Sequence, residues 1–351
     1  MSDNEHTSYS SSSDESPADL SAGAVPGRIG PRRRSLEKVE KTCYPSPKSP
    51  KSTKQLTSGA STDILSKYGG LKVCCSPLIL IKNDENGQLS LEMEVIEEIS
   101  KIEDTVNVIA IAGPYRSGKS YLLNRLANTE QGFRLGHTTK VTTKGIWVLC
   151  LEHPIRKDEV LLLLDTEGIG DVAKSDDEND NSILSLTTLL TGTFVYNMFG
   201  VLGEKLLNKL AFVKKVSKQI ALCNTLDEDD LRYIPEIAFY FPSFVLCLRD
   251  FSLEMDNGET SDDYLEMCLE LKDGKGTKVV RYNATTVAIL EHFKNRKCFV
   301  FDRPAERKKL RRLEELKQSE LSEDFVTDTS SFLEYIYKCK PKKLTDGSLL
   351  N

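Results

Sequence analysis

The sequence predicts an α/β fold whose central sheet is mostly parallel and carries helices on both faces. Three observations predict it. Residues 106–112, 160–164, 243–248 and 298–301 are short apolar runs of strand length. Stretches with helical patterning lie between them, and strands alternating with helices argue for a parallel sheet covered on both sides. A glycine-bounded octad, Gly113 to Ser120, sits where the first of these runs meets a helical pattern.

Taken in order, residues 1–72 are rich in Ser, Pro, Lys and Gly and poor in aromatics. Such a segment buries too little apolar area to offset its ordering entropy, so a disordered tail is expected. It begins without the apolar stretch of a signal peptide. Arg32 to Ser35 and Ser46 to Pro50 have the look of kinase sites, the plainer reading being a solvated tail. The folded domain is expected over 73–340, with a short tail over 341–351. Leu78-Ile79-Leu80-Ile81 and Gln88-Leu89-Ser90-Leu91 flank Asn86-Gly87, a hairpin signal. Met93, Ile96, Ile99 and Ile102 recur at helical spacing. The run 106–112 is the first buried strand, and Tyr121, Leu122, Leu123 and Leu126 mark the helix after it. Residues 181–203 hold no charge and are long enough to cross a bilayer. Their Ser, Thr, Asn and Gly content would cost transfer energy there. A buried helix near 182–191 followed by a buried strand at 193–197 explains the stretch better. Residues 305–318 and 321–337 read as two amphipathic helices.

Composition narrows the function. Lys and Arg number 47 against 53 Asp and Glu, a net charge of −6, which argues against a dedicated nucleic-acid binder. The nine cysteines are scattered without a C-x-x-C pair, and the four histidines are dispersed. Neither a zinc site nor a disulfide framework follows; reduced thiols and a cytoplasmic location are expected.

The octad Gly113-Pro114-Tyr115-Arg116-Ser117-Gly118-Lys119-Ser120 fits G-x-x-x-x-G-K-[ST]. At a strand-to-helix junction this pattern is specific for a phosphate-binding loop, so the fold is expected to be that of a P-loop NTPase. The glycines let the backbone wrap closely around an anion. Successive main-chain amides and the helix N-terminus, here through Tyr121, meet the anion with partial positive charge. Lys119 is expected to reach the β/γ-phosphates and Ser120 to ligate Mg²⁺. Downstream, Asp165-Thr166-Glu167-Gly168-Ile169 closes a hydrophobic strand: Asp165 suits the metal shell through water, and the Gly168 amide the γ-phosphate. The loop from Leu135, Gly136 and His137 onward is counted with the nucleotide contacts. A threonine in it would complete the metal shell, and by spacing alone Thr138, Thr139, Thr142 and Thr143 are equal candidates. No N-K-x-D motif follows a strand. Arg249-Asp250 does, and a carboxylate there can accept both N1–H and N2–H of guanine, a donor pair adenine lacks. Arg249 is expected to stack on the base.

Together the segments GPYRSGKSYLLNRLA, GFRLG, TKGIW, LLLLDTEGIGDV, TFVYN, LRDFSLE and CFVFDRP resemble the guanylate-binding protein family, large GTPases of the dynamin superfamily. The resemblance spans about residues 77–344. It implies a GTPase producing GDP and phosphate with Mg²⁺, and a homodimer formed through G domains in the triphosphate state. It implies that Arg116 is an internal arginine finger, that Thr143 is the Mg²⁺ threonine, and that Glu167 belongs to the water-positioning network. Arg303 and Arg307 match the guanine cap, about 302–318, which covers the base and forms the dimer face. Family members often act in innate immunity. Two departures stand out. Val141 replaces a serine that helps hold the attacking water, and Thr142 replaces a histidine. The family's long C-terminal helical domain and prenylation box are not seen. Slow turnover is therefore expected, with a GTP-gated interaction module as the alternative. Membrane contact is expected to be at most peripheral, through the basic run from Lys338 to Lys343.

Overall fold

The computed structural model describes residues 76–129, 132–135, 143–170, 177–224, 237–256, 258–343 and 348–350. Its first strands, Leu78–Asn83 (β1) and Leu89–Leu91 (β2), form the expected hairpin. Asp84 closes the turn by accepting from the amides of Asn86 and Gln88, both at 2.8 Å. Met93–Ile99 (α1) follows, ending one turn before the apolar spacing does. Thr105–Ala112 (β3) is buried from Val106 onward and leads through the octad into Lys119–Leu126 (α2). Next come Ile146–Glu152 (β4), Glu159–Thr166 (β5), Asp177–Leu190 (α3) and Thr193–Phe199 (β6). Three helices, Glu204–Lys209 (α4), Phe212–Asn224 (α5) and Ile237–Tyr240 (α6), precede Ser243–Arg249 (β7). Ser261–Cys268 (α7), Thr277–His292 (α8), Arg296–Phe301 (β8) and Glu323–Lys338 (α9) complete the order.

The strands join in one sheet, β2-β1-β4-β5-β3-β6-β7-β8. Strands β5, β3, β6, β7 and β8 are parallel to one another, and β4, β1 and β2 extend the β5 edge with antiparallel pairs. Side chains of the parallel strands alternate between two apolar faces. Phe194 and Tyr196 pack on one side with Phe244 and Phe293; Val195 packs on the other with Phe325 and Phe332. Burial on both faces is why these strands read as unbroken apolar runs. Because β3 has parallel neighbours on both sides, the carboxyl ends of β5, β3 and β6 open a crevice at the switch in strand order, where ligands of open α/β sheets bind.

The uncharged stretch 181–203 resolves into most of α3, then β6 and the turn after it. Two of its threonines return their hydroxyls to the helix backbone: Thr187 donates to Ile183 O at 2.7 Å and Thr191 to Thr187 O at 2.9 Å. Among the described residues no helix is long and apolar enough to cross a membrane. One element differs from expectation. Residues 305–318 do not form an α-helix; Lys309–Glu315 is 3₁₀ and breaks at Arg312, φ −130°. Among the described residues, Cys150, Cys247, Cys268, Cys298 and Cys339 form no disulfide.

Candidate nucleotide site

The cradle forms between β3 and α2. Gly113 leaves β3 at φ 144°. A Cβ at Gly113 would collide with the carbonyl of Asn197 in β6, so no other residue lets the chain turn so close to that strand. Gly118, at φ 87°, caps α2 in the left-handed conformation. Arg116 between them is also left-handed, at φ 63°, a strain of roughly 1–3 kcal/mol that structures tend to hold at ligand-binding loops. The loop is braced on both flanks. Asn197 Nδ2 donates to Ser117 O at 2.7 Å. Ile169 N donates to Gly113 O at 3.1 Å, and Tyr115 N donates to Ile169 O at 3.2 Å. Gly168 packs against the Tyr115 backbone with no room for a Cβ. The first-turn amides of α2, at Lys119, Ser120 and Tyr121, have no intrahelical acceptor.

Lys119 is buried, and its Nζ donates to Pro114 O at 3.2 Å. Burial pushes its ammonium below the ordinary value, while the carboxylates of Asp165 and Glu167 pull it back. Asp165, at the end of β5, is buried as well. Its Oδ2 accepts from Ser120 Oγ at 2.6 Å and from Thr143 Oγ1 at 3.4 Å. Its Oδ1 is buried without a hydrogen-bond partner. Burial raises this carboxyl to about 6 against the pull of Lys119 and the two hydroxyls. Two hydroxyls beside a carboxylate with an unsatisfied oxygen make an all-oxygen donor set, which fits a hard divalent cation such as Mg²⁺. Among the four threonines open by spacing, Thr143 is the one within the described residues, and it reaches Asp165. Thr166 instead turns inward and donates to Ile111 O at 3.1 Å.

Glu167 is 1% exposed. Its Oε2 accepts from Gly145 N at 2.6 Å and from Asn83 Nδ2 at 2.8 Å. Asp250 follows β7 in the left-handed conformation, φ 52°, and its Oδ2 accepts from Arg303 Nε at 3.2 Å and Nη2 at 3.1 Å. The Arg303 side chain is 53% exposed. Arg307 is exposed. Arg249 departs from expectation: neither a base-stacking group nor a surface ion pair, it is 4% exposed. Its guanidinium lies 5.2 Å from both the Phe301 and Phe325 rings, behind Gly118. Apolar Phe301 and Phe325 enclose it because β7 ends inside the sheet, so its side chain enters the layer under α9. Arg116 is exposed, with its guanidinium 5.4 Å over the Tyr115 ring. The Tyr121 ring is buried against Phe325 and Leu135 packs on the core, so neither side chain lines the cradle. Gly136, His137, Val141 and Thr142 lie outside the described residues, as do residues 1–75.

Sequence reasoning missed Asn197, Asn83 and Asn179. Each is an uncharged amide, Asn83 at a strand end, Asn179 near a helix start and Asn197 within β6, and its partners lie far along the chain.

A buried lysine and hydroxyl opening the helix after a central parallel strand, faced by an aspartate ending the next strand, define a P-loop nucleotide-binding protein of the α/β class. Residues 86–345 match the family described as guanylate-binding protein, N-terminal domain. The chain is 42% identical over 279 residues to guanylate-binding protein 1 of Chlorocebus aethiops, covering 78% of this chain and 47% of that one. It is 42% identical over 276 residues to guanylate-binding protein 2 of Homo sapiens, covering 78% and 46%. The chain therefore belongs to the guanylate-binding protein family, and spans about half the length of the relatives it matches. Two crystal structures of Toc33 from Arabidopsis thaliana, one in complex with GDP and Mg²⁺, also align. Their TM-scores are 0.37 and 0.36 and their identities 9% and 11%; they cover 71% and 70% of this chain and 91% and 89% of their own.

Proposed function

We propose that this chain is a GTP-binding domain that hydrolyses GTP to GDP and phosphate. The observation that carries the reading is the convergence of Lys119, Ser120, Thr143 and Asp165 on one pole of a glycine-strained loop, with a strand-end carboxylate, Asp250, at the other. Ser120, Thr143 and Asp165 would hold Mg²⁺, which when bound neutralises phosphate charge. Lys119 supplies a desolvated positive charge to the β/γ-phosphates, and low local dielectric strengthens it. Glu167, fixed by its donors, orients the attacking water. Asp250 selects guanine, and Arg303 belongs to the cap over the base. Arg116, parked over Tyr115, is the internal arginine finger that swings onto the phosphates when two G domains pair; such a residue contributes about 10³–10⁵ in kcat. Homodimerisation in the triphosphate state follows from that role.

The test is titration with GTP, GDP, GMP and ATP, followed by product analysis. Guanine nucleotides are expected to bind and ATP to be rejected, with phosphate release per molecule rising with protein concentration. Lys119→Ala is expected to abolish binding. Equal affinity for ATP refutes the assignment of Asp250, and retained tight binding by Lys119→Ala refutes the cradle. Intact GTP binding with background turnover favours the GTP-gated interaction module instead, the outcome the Val141 substitution points toward.

A further inference from the structure

The proposed site reaches past the P-loop core into the antiparallel edge of the sheet. Asn83, the last residue of β1, is 3% exposed, and Asn179, near the start of α3, is 6% exposed. A carboxylate has nothing to donate, so Asn83 must turn its amide nitrogen toward Glu167 Oε2, at 2.8 Å. The same Nδ2 donates to Asn179 Oδ1 at 2.9 Å, and Asn179 Nδ2 donates to Asn83 Oδ1 at 3.3 Å. Asn179 Nδ2 also donates to Gly87 O at 2.5 Å, in the hairpin turn. Glu167 is tied to the segment carrying Thr143 as well. Its Oε2 accepts from Gly145 N, and its own amide donates to Gly145 O at 2.8 Å. Gly145 is left-handed at φ 75°, and a Cβ there would strike Ile81 O in β1. The end of the loop after Thr143 is thus pressed between β1 and Glu167.

We propose that Asn83, with Asn179 behind it, is a positioning residue for hydrolysis: a pair of neutral amides that fixes the Glu167 carboxylate in place without neutralising it. The proposal rests on the reading of Glu167 as the water-orienting group. Neutral donors suit this task, because an arginine or lysine would cancel the charge that orients water, whereas an apolar residue would remove a hydrogen bond that Oε2 accepts. The chain separation of 84 residues between Asn83 and Glu167, and of 96 between Asn83 and Asn179, means that β1 must meet a distant part of the chain for the carboxylate to be held.

The experiment is a double-mutant cycle on the full chain: native protein, Asn83→Ala, Glu167→Ala and the double variant. Single-turnover and steady-state GTP hydrolysis, GDP affinity and thermal melting are measured for each. Asn83→Ala is expected to lower kcat about 10- to 100-fold, since a small misplacement of a reacting group costs that much, with KM and GDP affinity within about twofold of native. In the Glu167→Ala background the same substitution is expected to change kcat by less than about twofold, because both residues act through one carboxylate. An equal loss of kcat in both backgrounds shows a general structural role and overturns the proposal. If Glu167→Ala is slow while Asn83→Ala hydrolyses at the native rate, this proposal alone falls. If Glu167→Ala itself hydrolyses at the native rate, the reading of Glu167 falls and takes the proposal with it, while the nucleotide-binding assignment stands. Should Asn83→Ala lose its cooperative melting transition, Asn179→Ala enters the same cycle with the same expected result.

Discussion

Asp250 shows how much one side chain is asked to do. Arg303 engages it through two nitrogens, a donor pair of the kind guanine presents through N1–H and N2–H. The Arg303 and Asp250 side chains are 53% and 29% exposed, and pairs so exposed contribute about 0–1 kcal/mol. On the proposed role of Asp250, guanine would displace Arg303 at little cost. Asp250→Asn replaces a charged acceptor with a neutral one, and is expected to weaken GTP binding by about 1.5–3 kcal/mol, roughly 10- to 150-fold, with ATP still rejected. Isothermal titration reads this, and an unchanged GTP affinity would contradict the role. At this scale the charged and glycine positions were legible in the sequence, because Gly113, Gly118, Lys119, Ser120 and Asp165 fall in fixed local spacing around a strand end. Asn83, Asn179 and Asn197 were not. An amide at the end of an apolar run carries no local mark of its partner, and the amide of Asn197 reaches the octad across 80 residues.

Among the elements, α9 ties the last part of the chain to the site. Tyr337 Oη donates to Leu126 O at 2.6 Å, closing α9 on the end of α2. Phe332 is fully buried, with its ring centroid 5.5 Å from that of Phe299 and 5.8 Å from that of Phe301. Phe332→Ala is expected to lower unfolding free energy by about 3–5 kcal/mol through lost contact and an unfilled cavity. Urea denaturation followed by tryptophan fluorescence checks this, and a loss below about 1 kcal/mol would show that the layer collapses to fill the space. The strands were legible to within a few residues, since burial on both faces leaves long apolar runs. The stretch 305–318 reads as an amphipathic helix, and the structure holds a broken 3₁₀ segment over Lys309–Glu315 in its place. Leu313 and Leu316 pack on the neighbouring layer, and local spacing carries no mark of the break at Arg312.

Across the whole molecule, His153 couples the turn after β4 to the end of α9. It is 4% exposed, and its Nδ1 accepts from the amides of Ile155 at 3.3 Å and Arg156 at 3.2 Å. Arg156 Nη2 in turn donates to Cys339 O at 2.5 Å. Burial, and secondarily the Arg156 charge, lowers the His153 imidazole from 6.5 to about 4. The unfolded chain therefore takes up this proton first as pH falls. The stabilisation is complete above about pH 6.5 and is lost as pH falls to about 4, a total loss of at most about 3 kcal/mol. Thermal unfolding of the native chain and His153→Asn across this window checks it: the variant is expected to show the shallower acid dependence, and equal slopes would assign the acid sensitivity elsewhere. By itself the sequence determined the α/β class, the parallel core strands, the phosphate loop and the carboxylates at two strand ends, because each is written in short-range periodicity or spacing. Tertiary structure alone decided that Arg249 lies between two phenylalanine rings, that Arg303 meets Asp250, and that Asn83 holds Glu167. Those pairings bring together residues from separate strands and loops, and only the packing of β1, β5, β7 and β8 into one sheet puts them within a hydrogen bond or a ring's width of each other.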